Sequence, residues 1–179
     1  MNALLNPTTG RLLLVIAPHA GGAIMLGLIA RLACRGPLRL LDGGNGFDVY
    51  HCNQAIARIL QGQKDQLPAT LEHIQLARAF TCYQMAALLK QTSGRPVPTL
   101  VLDLLSTFYD ESVPVAESRR LLQECIEQLQ RLNSLAPVAI SARPGLSGSR
   151  GELLETLQSA ASQVWALEPY SPEPPARLF

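Results

Sequence analysis

From Leu12 to Leu32 the chain reads LLLVIAPHAGGAIMLGLIARL, and no residue between Leu12 and Ala30 is charged. A stretch of this kind has to be buried, either in a membrane or in a protein core. Pro18, His19 and the Gly21-Gly22 pair stand in its middle, where a spanning helix would lose backbone hydrogen bonds with no water to replace them. Arg11 is the one charge ahead of the run, which makes a poor secretory n-region. The stretch therefore reads as core, and no membrane partner is expected. Leu12 to Ile16 is short, unalternating and partly β-branched, as in a strand buried on both faces of a parallel sheet. The run Ala23 to Ala30, closed by Arg31, is apolar nearly all round and predicts a helix packed deep in the core. Strand, glycine turn, buried helix is the layout of a phosphate-binding loop.

The rest of the chain repeats that alternation. Leu38 to Leu41 predicts a second strand ending at Asp42, followed by the loop Gly43-Gly44-Asn45-Gly46. Further strands are expected within Leu71 to Ala77, Val97 to Leu102 (running into Asp103), Pro137 to Ser141 and Gln163 to Leu167. Between them, helices are expected over Tyr50 to Leu60, Thr81 to Leu89, the stretch after Pro114, and Glu152 to Ala161. The clearest helix places Leu121, Leu122, Cys125, Ile126, Leu129 and Leu132 on one face. Ser106 to Ser112 and Arg143 to Arg150 read as loops. Strands alternating with helices predict an α/β fold: a mostly parallel sheet, right-handed crossovers and helices on both faces. Ligands of such sheets bind at the carboxyl edge of the strands. Here that edge collects the Pro18 to Gly22 turn, Asp42 with its glycines, Asp103 and the arginine-bracketed loop.

The 179 residues fit one domain, with residues 1–168 as the core and 169–179 as a tail rich in proline. The tail ends Ala176-Arg177-Leu178-Phe179, an apolar pair suited to folding back on the core or docking on a partner. A net charge of +1 gives no global footprint for nucleic acid, so DNA contact would need a local patch. Cys34, Cys52, Cys82 and Cys125 form no C-x-x-C pair. They read as reduced thiols of a cytoplasmic protein. His19, His51 and His73 show no ligand spacing with them, so zinc is not expected. His51-Cys52 is no nucleophile pair, since adjacent side chains rarely face one another.

Several segments taken together resemble the archaeal and eukaryotic RecA/RadA recombinases. Leu71 to Phe80, LEHIQLARAF, resembles the strand carrying an A-R-A-[YF] signature, and Thr99-Leu100-Val101-Leu102-Asp103 resembles the Walker B strand. The helix after it, and then Val138-Ala139-Ile140-Ser141 leading into a loop, follow in the same order. The resemblance covers about Leu12 to Leu167 and implies a minimal, single-domain RecA-like P-loop NTPase core. It implies Asp103 as the surviving Walker B acid and metal ligand. It implies Ala20, Gly21, Gly22, Ala23 and Asp42 as the surroundings of a nucleotide or anion. Arg143 and Arg150 flank the counterpart of the second DNA-binding loop and so become the DNA-binding candidates.

The departures from that family are as informative as the matches. Laid on G-x-x-x-x-G-K-[ST], Ala17 to Ile24 keeps Gly22 and a small residue at Ala20, but Ala23 replaces the lysine and Ile24 the magnesium-binding hydroxyl. A cation about 4 Å from a phosphate charge is worth about 4 kcal/mol at an effective dielectric of about 20, and alanine supplies none of it. Gly44 matches the position of the catalytic glutamate, and Arg143 or a neighbour that of the polar sensor. A Walker A motif degenerate at these points implies a pseudo-ATPase with no required cofactor. The expected role is a non-hydrolysing accessory or scaffolding protein in DNA recombination or repair. It would pair with itself or an active recombinase relative, with DNA contact through Arg143 to Arg150. Two alternatives stay open: an ATPase in which Asp42 or Asp103 holds magnesium and an arginine replaces the lysine, or a nucleotide sensor without turnover. Plainer readings of the same residues are a tight turn at Gly21-Gly22, a local cap or ion pair at Asp103, and a solvated loop between the two arginines.

Overall fold

The computed structural model describes residues 7–143 and 150–167. Every residue of β1 (Leu13–Ile16), β2 (Leu38–Asp42) and β5 (Val138–Ala142) is buried, the outcome for unalternating apolar strands with cover on both faces. With β3 (Ile74–Arg78), β4 (Thr99–Leu102) and β6 (Gln163–Ala166) they form one six-stranded sheet. Its order is β3-β2-β4-β5-β1-β6, and each adjacent pair is parallel. β1 lies between β5 and β6, with Val15 opposite Ser141 and Trp165. The strand entering the glycine turn is thus separated by β5 from the strand ending at Asp103. This arrangement is consistent with a RecA-like α/β core.

Side chains alternate across the sheet with the period of two that a strand imposes. Leu13, Val15, Leu38, Leu40, Leu100 and Ala139 face α1 (Gly22–Ala33) and α2 (Val49–Ile59). Leu14, Ile16, Leu41, Val101, Val138 and Ile140 face the other way. They meet α4 (Cys82–Gln91), α5 (Val115–Asn133) and α6 (Gly151–Ala160). The amphipathic reading of α5 holds: Leu121, Leu122, Cys125, Ile126, Leu129 and Leu132 are all buried. On its exposed side Arg120 pairs with Glu117 one turn back and Glu124 one turn on. Cys52, Cys82 and Cys125 are buried free thiols. Among the described residues no helix is long and apolar enough to cross a membrane.

Three local details differ from what the sequence predicts. The strand expected within Leu71 to Ala77, centred on Ile74 and Leu76, is present as β3, but the unexpected feature before it is a short helix, α3 (Leu67–Glu72), with Pro68 in its first turn. Proline is accepted there, since the N–H it lacks would have had no helical partner. Part of the loop after Asp103 is a 3-10 helix, Leu104–Phe108, and its Phe108 is fully buried. Finally, α1 is not covered all round. Met25, Leu28, Ile29, Ala30 and Ala33 are buried, but Ile24 and Leu26 are only half-buried and Ala23 is exposed. A helix layered on one face of a sheet keeps one side towards solvent, whatever its composition.

Candidate functional site

The carboxyl ends of β2, β4 and β5 meet the start of α1 around a cavity of about 500 Å³. Gly22, Ala23, Asp42, Asp103 and Arg143 all line it. Of the candidate residues, Ala20 and Gly21 lie in the 3-10 turn Pro18–Gly21 that leads into α1. Gly22 already has helical angles, and a side chain there would meet nothing. The left-handed residue of this turn is His19, at φ +55°, so the turn does not depend on Gly22 for its backbone shape.

Asp42 ends β2 with its side chain fully buried. Its Oδ1 accepts the Gly46 N–H at 3.1 Å, and its Oδ2 accepts the Phe47 N–H at 3.1 Å and Arg78 Nε at 3.3 Å. The glycine-rich loop therefore wraps around this one carboxylate. Two residues on, Asp48 caps α2 by accepting the His51 N–H at 3.0 Å, and its other oxygen meets His51 Nδ1 at 2.8 Å. That cap, chiefly the backbone N–H, holds the Asp48 carboxyl below its usual range.

Asp103 turns the chain out of β4 in the left-handed conformation, φ +48°. Its N–H donates to Ser141 Oγ at 3.0 Å, tying the ends of β4 and β5 together. Its Oδ2 meets Arg143 Nη2 at 2.7 Å, and the same guanidinium nitrogen donates to Ser106 Oγ at 2.9 Å. Among the described residues Oδ1 is buried with no hydrogen-bond partner, as is the Tyr109 hydroxyl. Burial pushes the Asp103 carboxyl above its ordinary range, and Arg143 pulls it part of the way back. Burial raises the Tyr109 hydroxyl too, with the charge of Asp103 adding to the effect.

Gly44 packs directly on that aspartate. A Cβ at this position would stand 2.6 Å from Asp103 Oδ2 and 2.8 Å from its Cβ. The place matching a catalytic glutamate therefore has no room for any side chain. Asp42, Asp48 and Asp103 put three carboxylates in the cavity wall against one guanidinium, Arg143, while Met25, Leu26 and Ile29 make the α1 side apolar. No acidic or basic side chain occupies the first turn of α1, where Ala23 and Ile24 stand. Such a lining, three acids to one guanidinium, is electrostatically unfavourable to a triphosphate.

Arg150 lies away from this cavity. Its guanidinium donates to the carbonyl oxygens of Phe108 (2.6 Å) and Val113 (2.5 Å) and to Ser118 Oγ (3.2 Å), fastening the stretch after β4 to α5. Both arginine candidates thus hold partners on their own chain. Residues 144–149 between them, and the tail, lie outside the described residues. Sequence reasoning missed Ser141 and Arg78 as members of the site. Ser141 is the one polar residue of the otherwise apolar β5, a signal legible in the sequence. Arg78 was visible only as a letter of the A-R-A segment.

Removing Arg143 should expose how this site is balanced. Arg143→Ala leaves a buried carboxylate uncompensated, at an expected cost of about 1–2 kcal/mol near neutral pH. That is below the roughly 3–5 kcal/mol of a fully buried pair, because the Arg143 side chain is half exposed and solvent screens it. A carboxyl raised in the folded state binds its proton more tightly there, so stability falls as pH rises through its folded pKa. The variant raises that pKa further, so its deficit should shrink in mild acid. Urea midpoints of both proteins at the two conditions check the sign. Compared with known protein families and with curated proteins, the chain matches none.

Proposed function

We propose that this chain is a non-hydrolysing, recombinase-like accessory or scaffolding protein in DNA recombination or repair, acting through a protein partner. The observation that carries the reading is the closure of Asp103 onto Arg143 and Gly44. Phosphoryl transfer depends on positioned cations and a group that orients the attacking water. At this sheet edge the cation position is Ala23, the hydroxyl position is Ile24 and the acid position is Gly44. The ATPase alternative needs an arginine and an acid free to serve. Asp42 and Asp103 already carry partners on this chain, and Arg143 is one of them.

A partner-covered surface also fits the edges of the sheet. β3 is an edge strand, and Leu76 on it, with Phe80 and Tyr83 just beyond, is exposed. Unpaired strand edges beside apolar side chains favour pairing with another chain. The test is capture of tagged protein from its native cell, with and without magnesium-ATP. The expected result is retention of a second copy or of a DNA-recombination protein, indifferent to nucleotide. Capture that requires ATP, or of neither class of partner, would contradict the proposal.

A further inference from the structure

At the opposite edge of the sheet, where the strands begin, three arginines meet at one loop, with no carboxylate in ion-pair distance among the described residues. Arg39, in β2, is only 8% exposed. Its Nη2 donates to Ser93 Oγ at 2.9 Å and its Nη1 to the Arg95 carbonyl oxygen at 3.4 Å. Arg131, in the last turn of α5, reaches the same loop. Its Nη2 donates to the carbonyl oxygens of Thr92 at 3.0 Å and Leu89 at 3.4 Å, which closes the end of α4. Gly94 sits beside it, since a Cβ there would lie 3.8 Å from Arg131 Nη1. Arg95 is exposed, and its guanidinium has no hydrogen bond or ion pair among the described residues.

None of the three has a carboxylate within 4.0 Å among the described residues. Closing α4 accounts for Arg131 alone. It leaves unexplained why a nearly buried Arg39 faces two further cations, which lower its pKa in addition to the effect of burial. A buried charge is costly unless a counter-charge accompanies it. The N–H groups of Ser93, Gly94 and Arg95 donate to no backbone carbonyl among the described residues, so the loop offers neutral donors beside the cations.

We propose that Arg39, Arg95 and Arg131, with the Ser93–Arg95 loop, form a binding site for a phosphate oxyanion. Planar guanidinium forks and loop N–H groups match such an anion in charge and geometry. The phosphate could come free in solution or from a nucleic-acid backbone. In either case the site is separate from the cavity at the carboxyl edge and stands or falls independently of the function proposed above.

The test compares the full chain with Arg95→Ala and the milder Arg95→Gln, both on an exposed loop. Inorganic phosphate is titrated against chloride at matched ionic strength, reading the melting temperature. A labelled thymidine oligonucleotide is titrated by fluorescence anisotropy at low salt. The expected result is a phosphate-dependent rise in melting temperature, oligonucleotide binding, or both. Arg95→Ala should weaken it roughly tenfold, about the loss of one charge-assisted hydrogen bond. A response to phosphate alone identifies free anion as the source, and one to oligonucleotide identifies the backbone. Response to neither, or a response unchanged in both variants, overturns the site.

Discussion

Asp42→Ala is expected to cost about 2–4 kcal/mol, since the Gly46 and Phe47 N–H groups lose their acceptor and the partly exposed Arg78 loses its anion. Those groups sit where β2 gives way to α2, and Phe47 packs against the core on the α1 side of the sheet. The loss would therefore spread into α2 rather than remain at one side chain. A loss of this size is a large share of the roughly 5–15 kcal/mol that holds a domain of ordinary stability together. Asp42→Asn keeps acceptor capacity but not the charge, so it should fall between the two. Urea unfolding measures the cost, and amide exchange at Gly46 and Phe47 should rise well before global unfolding. An Asp42→Ala protein as stable as the parent would show that the glycine loop is not held by this carboxylate.

The second large effect is at Gly44. Alanine there places a methyl 2.6–2.8 Å from Asp103 atoms, one of them a Cβ that cannot swing away. Overpacking of this kind costs about 1–3 kcal/mol, and the upper end is expected because Asp103 is held by Ser141 and Arg143. The cost should depend on the neighbour. In an Asp103→Gly background the methyl has room, and glycine also accepts the left-handed backbone found at that position. A double-mutant cycle over these two sites should return a coupling of about 1–3 kcal/mol. A cycle with no coupling would mean that Gly44 is retained for another reason.

The layered fold was legible because its strands are short, branched and unalternating, and because Gly/Pro breaks separate them from helices. β1, β2, β5 and α5 announce themselves in this way. The short helix α3 did not, since six residues, under two turns, leave almost no periodic signal. At the site, Asp42 and Asp103 stood out as acids ending apolar strands. Their use was hidden. That Gly44 presses against Asp103, and that Arg143 closes on it, depends on the spacing between strand ends, which no local pattern encodes. The arginine cluster was equally invisible, as Arg39, Arg95 and Arg131 come from three separate elements joined only by the fold.

Under the proposed function the carboxyl edge performs no phosphoryl transfer, because Ala23 and Gly44 stand where a cation and a water-orienting acid would be needed and Asp103 is paired with Arg143. Phosphate release by the purified chain with ATP and magnesium tests this most directly, run beside Asp103→Asn. The expected result is no release above the protein-free rate, and the same for the variant. Sustained turnover that disappears in Asp103→Asn would contradict the account.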